Sequence, residues 1–288
     1  MPMNRMHADE ADIDDDLVRR LVAAQFPRWA GLPVARVASS GTENAMFRLG
    51  DELVVRLPRL ARAAAEIGRE QRWLRWLAPR LPVAVPEVLA GGRPGEGFAW
   101  NWSVLRWLPG ANRDFGDAQV ARDLGAFVKA LRRLDPAGAP EISRGRPLRT
   151  RDVPTREAIA QLGGDPAYVA AWEKALAAPE WTGNPRWLHA DLSPGNVLVD
   201  DGGLSAVLDF AGVGVGDPAV DVIPAWNTFA AAEREVFREA VEVDDATWQR
   251  GRGWALSIAL IQLPYYRETN PVLAANARRT IEAVLSDS

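Results

Sequence analysis

The stretch WLHADLSPGNVLVD, residues 187–200, places His189 two residues before Asp191 and Asn196 five residues after it. Ser-Pro-Gly, a turn former, separates Asp191 from Asn196. Two short apolar runs around Asp-Gly-Gly follow, which predicts a hairpin ending at Asp209-Phe210. A hairpin brings its ends together, so Asn196 and Asp209 are expected side by side, with Asp191 in the turn that feeds them. Carboxylate and amide oxygens, without a thiolate or a histidine cluster, suit Mg²⁺ rather than zinc. Such a set fits phosphoryl transfer, which needs positioning and charge neutralisation more than covalent chemistry. One carboxylate and one amide can hold Mg²⁺ against nucleotide phosphates, while a second carboxylate orients the attacking hydroxyl. His189 is expected to brace rather than to catalyse.

The elements that must position these groups fall into two parts. Helix 14–26 begins with acidic residues that suit the helix dipole, and Leu17, Leu21 and Val22 form its apolar stripe. Strands follow in PVARVASS and AMFRLGDELVVRLP, then a helix over 61–77 and strands near 86–90 and 98–107. Beyond Gly110 the periodicity predicts helices at 117–134, 155–162, 166–177, 218–229, 231–241, 245–263 and 271–285. The hairpin at 196–210 is the only clear β signal there. The expectation is an α+β, bilobal chain, cut at the hinge RWLPG: residues 1–108 form a β-rich lobe with one internal helix, and 109–288 a mostly helical lobe.

Composition narrows the class. At 288 residues the chain has room for two domains of ~100–200 residues each. A net charge of −4 argues against a nucleic-acid partner. Cysteine is absent, which excludes disulfides and thiolate metal sites. No apolar run approaches the ~20 residues of a membrane span, and the first residues lack a signal-peptide core, so a cytoplasmic protein without a membrane partner is expected. Lys129 and Lys174 are the only lysines, so nearly all positive charge is arginine. Nothing in the sequence sets the oligomeric state.

HADLSPGN followed by VLDFAGVGVGDPAVD resembles the aminoglycoside phosphotransferase and choline kinase family, whose fold is protein-kinase-like. The resemblance runs over roughly residues 39–226. It implies Asp191 as catalytic base, His189 as its support, Asn196 and Asp209 as Mg²⁺ ligands, and Asp217 and Asp221 as supporting residues. It places SSGTENAMFRL over the nucleotide phosphates, through Ser39, Ser40, Gly41 and Thr42, although this loop carries one glycine and no G-x-G-x-x-G. In LVVRLP, Arg56 stands where the family carries a phosphate-binding lysine; Glu70, or else Glu66, is its expected partner. Trp107 and Leu108 would offer backbone groups to the nucleotide base.

The function implied is transfer of the γ-phosphoryl group of ATP or GTP to a hydroxyl of an antibiotic or related natural product. A metabolite kinase of the choline, homoserine or methylthio-sugar type is the alternative, and a non-catalytic nucleotide-binding protein is a third reading. Trp226, Trp248 and Trp254 are candidates to line an acceptor pocket, against the commoner role of tryptophan in a core. Glu233 belongs to an acidic helix face that could draw in a cationic acceptor, against the commoner solvated face.

Overall fold

Helix α1 (Asp15–Gln25) starts where Asp14 accepts a hydrogen bond from the Leu17 N–H at 2.7 Å. Its stripe of Leu17, Val18, Leu21 and Val22 is buried. In this computed structural model, residues 11–37, 43–112 and 117–287 are described. The expected phosphate-loop residues Ser39, Ser40, Gly41 and Thr42 lie outside them. The chain divides into two compact units, Met1–Pro109 with Ala206–Ala211, and Gly110–Ser205 with Gly212–Ser288.

The first unit is built on β1 (Val34–Arg36), β2 (Asn44–Leu49), β3 (Leu53–Pro58), β4 (Val88–Gly92) and β5 (Trp102–Arg106). They form an antiparallel sheet in the order β1-β2-β3-β5-β4. Strand β2 alternates between buried and half-buried residues, as a sheet with one well-covered face requires, whereas every residue of β3 is buried. Val55, Leu57, Phe47 and Trp102 share one apolar core with the α1 stripe. Helix α2 (Ala61–Leu77) buries Ala63, Ile67, Glu70, Leu74 and Leu77, spaced three and four apart. Glu70 is thus a charge in the middle of an apolar stripe, a position that demands a partner.

In the second unit, α3 (Ala118–Arg132) packs on α7 (Ala231–Val241), and α8 (Asp245–Tyr266) packs on α9 (Pro271–Ser286), α4 (Asp152–Gln161) and α5 (Pro166–Leu176). Strands β7 (Val197–Asp200) and β8 (Gly203–Val207) make the expected hairpin, the last two residues of β8 being counted with the first unit. A further pair, β6 (Arg186–Leu188) with β9 (Gly214–Gly216), was not expected: three residues are too few for alternation to show, and Gly-Val-Gly carries weak strand propensity. The helix expected over 218–229 is a 3₁₀ turn (Pro218–Val222) followed by the single-turn α6 (Pro224–Asn227), because Pro224 has no N–H with which to continue a ladder. Among the described residues no helix is long and apolar enough to cross a membrane.

Candidate active site

Within the first unit, β3 and α2 supply an ion pair. Arg56 faces Met46 on β2 and Ser103 on β5 in register. Its Nη1 donates to Glu70 Oε1 at 2.7 Å, and its Nη2 lies 2.6 Å from Glu70 Oε2. This is the two-pronged arrangement that arginine makes and lysine cannot. Both side chains are buried. Burial works against the Arg56 charge, but Glu70 and Asp209 outweigh it and hold the guanidinium above its ordinary value. Burial also pushes the Glu70 carboxyl up, against the pull of Arg56; two parallel short bonds mark the pair as ionised. Arg56 Nε is buried with no hydrogen-bond partner among the described residues.

The same helix grips the segment around Asp209. Arg69 Nη2 donates to the Ala211 carbonyl at 2.9 Å, and the Phe210 N–H bonds Glu70. Glu66, the second candidate partner for Arg56, pairs instead with Arg69. Asp209 has φ 61°, a left-handed backbone uncommon for a residue other than glycine, and Phe210 is fully buried. The Asp209 carboxylate accepts one long bond, 3.4 Å from the Ala211 N–H. At the hinge, the Trp107 N–H is already donated to the Glu52 carbonyl at 2.7 Å, and the Trp107 ring stacks under Arg48. Leu108 is half-buried beside it.

Within the second unit, the loop after β6 is held from several sides. The carboxylate of Asp221 accepts the N–H groups of His189 and Ala190, both at 2.7 Å. Burial raises the Asp221 carboxyl above its ordinary value, while His189 and these two donors pull it back. His189 Nδ1 accepts the Asp191 N–H at 3.3 Å, which makes this buried imidazole a brace. Asn196 Nδ2 donates to the Asp191 carbonyl at 2.8 Å and reaches Asp191 Oδ2 at 3.4 Å. Its amide oxygen therefore points to the other side. Asp217 caps the following 3₁₀ turn and is gripped in the interior by Arg250, with bonds of 2.8 and 3.0 Å.

Three loop supports were invisible in the motif. Asn112 donates to the carbonyls of Pro194, Gly195 and Val197. Asn227 donates to the Leu192 carbonyl at 2.9 Å. Arg144 pairs with Asp191 itself. A lone Asn in a Gly-rich linker and an Arg among many carry no sequence signal.

Asp191 and Asn196 thus lie together in the second unit, and Arg56, Glu70 and Asp209 in the first. The acceptor-pocket candidates lie elsewhere. Trp226 is 2% exposed, packs on Trp248 and donates from Nε1 to Asp287 at 2.9 Å. Trp254 is 1% exposed within α8. Neither indole presents a face to a ligand in this structure. Glu233 is half-buried in the first turn of α7, where a carboxylate suits the helix dipole.

By the chemistry of their donors, Asn196 in the second unit and Asp209 in the first each carry the kind of oxygen that suits Mg²⁺, and each keeps an oxygen not engaged by a protein hydrogen bond. Among the described residues no cluster of three or more His, Cys, Asp or Glu is placed to hold a metal by itself.

No curated protein matches the chain in sequence. Solved structures do. Wild-type aminoglycoside 2'-phosphotransferase-IIIa in its GDP complex aligns with TM-score 0.74 at 18% identity, covering 96% of this chain and 99% of its own. Macrolide 2'-phosphotransferase MphH from Brachybacterium faecium, an apoenzyme, aligns with TM-score 0.63 at 25% identity, covering 94% and 98%. Macrolide 2'-phosphotransferase type I aligns with TM-score 0.67 at 19% identity, covering 94% and 98%. The fold is therefore the kinase-like one. The phosphotransferase enzyme family model matches residues 34–254, most of the chain, and the chain belongs to that family.

Proposed function

We propose that this phosphotransferase moves the γ-phosphoryl group of ATP or GTP to a hydroxyl of an antibiotic or related natural product. Residues 1–108 would serve as the nucleotide lobe and 109–288 as the catalytic and acceptor lobe. The observation that carries the reading is Asp191: a half-exposed carboxylate on a loop whose backbone is tied down by Asp221, Asn112, Asn227 and Asn196. A carboxylate so fixed can accept a hydrogen bond from an acceptor hydroxyl and hold its oxygen in line for attack. Asn196 and Asp209 would hold Mg²⁺, which supplies charge neutralisation on the phosphate oxygens. Arg56, kept charged and fixed by Glu70, would face phosphate in the role usually given to lysine.

The charges around Asp191 bear on the acceptor. SRGRPLRTR, residues 143–151, carries four arginines and no acid. Arg144 reaches Asp191, and Arg149 pairs with Glu180. The Arg151 guanidinium bonds Ser257, has no ion pair among the described residues, and is pushed down by burial and by Arg144. Positive charge left unpaired in this stretch would disfavour a polycation. We therefore favour an acceptor of the macrolide kind, with little positive charge, over the polycationic aminoglycosides.

The test is a screen of aminoglycosides, macrolides and small alcohols with Mg·ATP and Mg·GTP, the phosphorylated product being identified by mass spectrometry. A macrolide phosphate supports the reading. Phosphorylation confined to a metabolite alcohol rejects it.

A further inference from the structure

We propose that Arg144 is the positioning residue of Asp191, fixing which carboxylate oxygen meets the acceptor hydroxyl. The inference rests on reading Asp191 as the residue that orients that hydroxyl. Arg144 Nη1 donates to two acceptors at once, the Ala190 carbonyl at 2.6 Å and Asp191 Oδ1. Ala190 has φ 68°, a left-handed backbone that costs energy for a residue with a Cβ and persists only where its surroundings hold it. Arg144 holds it from the carbonyl side, opposite Asp221 on the N–H side. One guanidinium thus fixes both the strained peptide and the side chain that follows it.

The arginine comes from a rigid place. Residues Ser143–Gly145 form a 3₁₀ turn whose last carbonyl accepts the Asp217 N–H at 2.8 Å. There the backbone lies so close to β9 that a Cβ on Gly216 would stand 2.2 Å from the Gly145 oxygen, and one on Gly145 would stand 2.7 Å from the Val215 oxygen. Glycine at both positions is what lets the two strips of backbone touch. An ordinary surface ion pair lacks this anchoring and the second acceptor.

With Oδ1 engaged by Arg144, Oδ2 keeps only the 3.4 Å contact from Asn196. Oδ2 is therefore the oxygen left to accept the hydroxyl. The guanidinium also places a positive charge on the far side of a carboxylate that must stand close to the negative triphosphate, reducing their repulsion.

The test uses the full chain and its R144Q, R144K, D191N and R144Q/D191N variants, with R278Q as an exposed basic control on α9. Single-turnover consumption of Mg·ATP and Mg·GTP is measured with water as acceptor and with any antibiotic that the screen identifies; nucleotide Kd and Tm are measured alongside. R144Q is expected to lower the rate of transfer about 100-fold while leaving nucleotide Kd within about twofold. R144K, which keeps the charge but not the guanidinium, should recover part of that loss. In the D191N background R144Q should add less than about a twofold loss, because it acts through a group already removed. R278Q should match the parent. If D191N is impaired and R144Q is not, or if the two losses multiply, the inference falls and the reading of Asp191 stands. If D191N turns over like the parent, both fall. A lower Tm in R144Q alone leaves the decision to R144K: a parent-like Tm with a reduced rate supports the positioning role, and a parent-like rate overturns it.

Discussion

In the buried pair of Arg56 and Glu70, a role in stability can be separated from the proposed role in binding phosphate. Removing one partner strands the other as a buried charge, and E70A is expected to cost about 3–5 kcal/mol, read as a fall in Tm and in denaturant midpoint. Replacing both by apolar residues of similar size, R56M with E70L, should leave stability near that of the parent because neither charge is then stranded. Calorimetry separates the roles: the double variant should fold and fail to bind Mg·ATP or Mg·GTP. Binding at parental affinity would show that Arg56 is structural only. Asp191 is the complementary case, a half-exposed carboxylate whose loss threatens no core. D191N should keep nucleotide affinity and lower kcat by about 10²–10⁴-fold in a steady-state assay.

The loop that carries Asp191 has almost no regular structure, so its shape depends on neighbouring elements. Helix α8 contributes Arg250, which bonds Asp217, Thr247 and the Pro179 carbonyl. Asp217 caps the 3₁₀ turn that carries Asp221, and Asp221 holds the loop backbone. R250M breaks a fully buried pair in this chain and should cost about 3–5 kcal/mol. It should also lower kcat more than KM in the variant that still folds, as a loosened catalytic loop would. A fall in stability with parental kcat would detach Arg250 from the loop. At this scale the sequence was informative where patterns are long. Helix α2 was readable to its bounds because its apolar positions recur through four turns, while Glu70 was named, beside Glu66, only through the family resemblance. The hairpin of β7 and β8 was readable from its Gly-Gly turn. Strands β6 and β9 were not, since their pairing depends on two glycines that admit another backbone, a fact of packing rather than of pattern. Arg144, Asn112 and Asn227 escaped for the same reason: each acts on a loop far away in the chain.

Across the whole chain, residues essential to the proposed chemistry are split between two compact units, and a short return segment, Ala206–Ala211, brings Asp209 into the first. A single cut at the hinge did not anticipate that return. Within the first unit, Asp209 is steadied by Arg69 and Glu70 acting on its neighbours, and its charge in turn supports Arg56. Loss of the Asp209 carboxylate should therefore act on ligand binding before it acts on folding, because the backbone contacts of Phe210 and Ala211 survive it. A ligand that binds only the folded chain at about 100 times its Kd raises stability by about 2.7 kcal/mol. Mg·ATP or Mg·GTP should produce a Tm rise of that origin in the parent, and EDTA should remove most of it. In D209A the unliganded Tm should stay near that of the parent, while the Mg²⁺-dependent rise and the matching calorimetric heat disappear. Undiminished Mg²⁺-dependent binding by D209A would place the metal on other residues. A collapse of the unliganded Tm would instead make Asp209 part of the frame around Arg56.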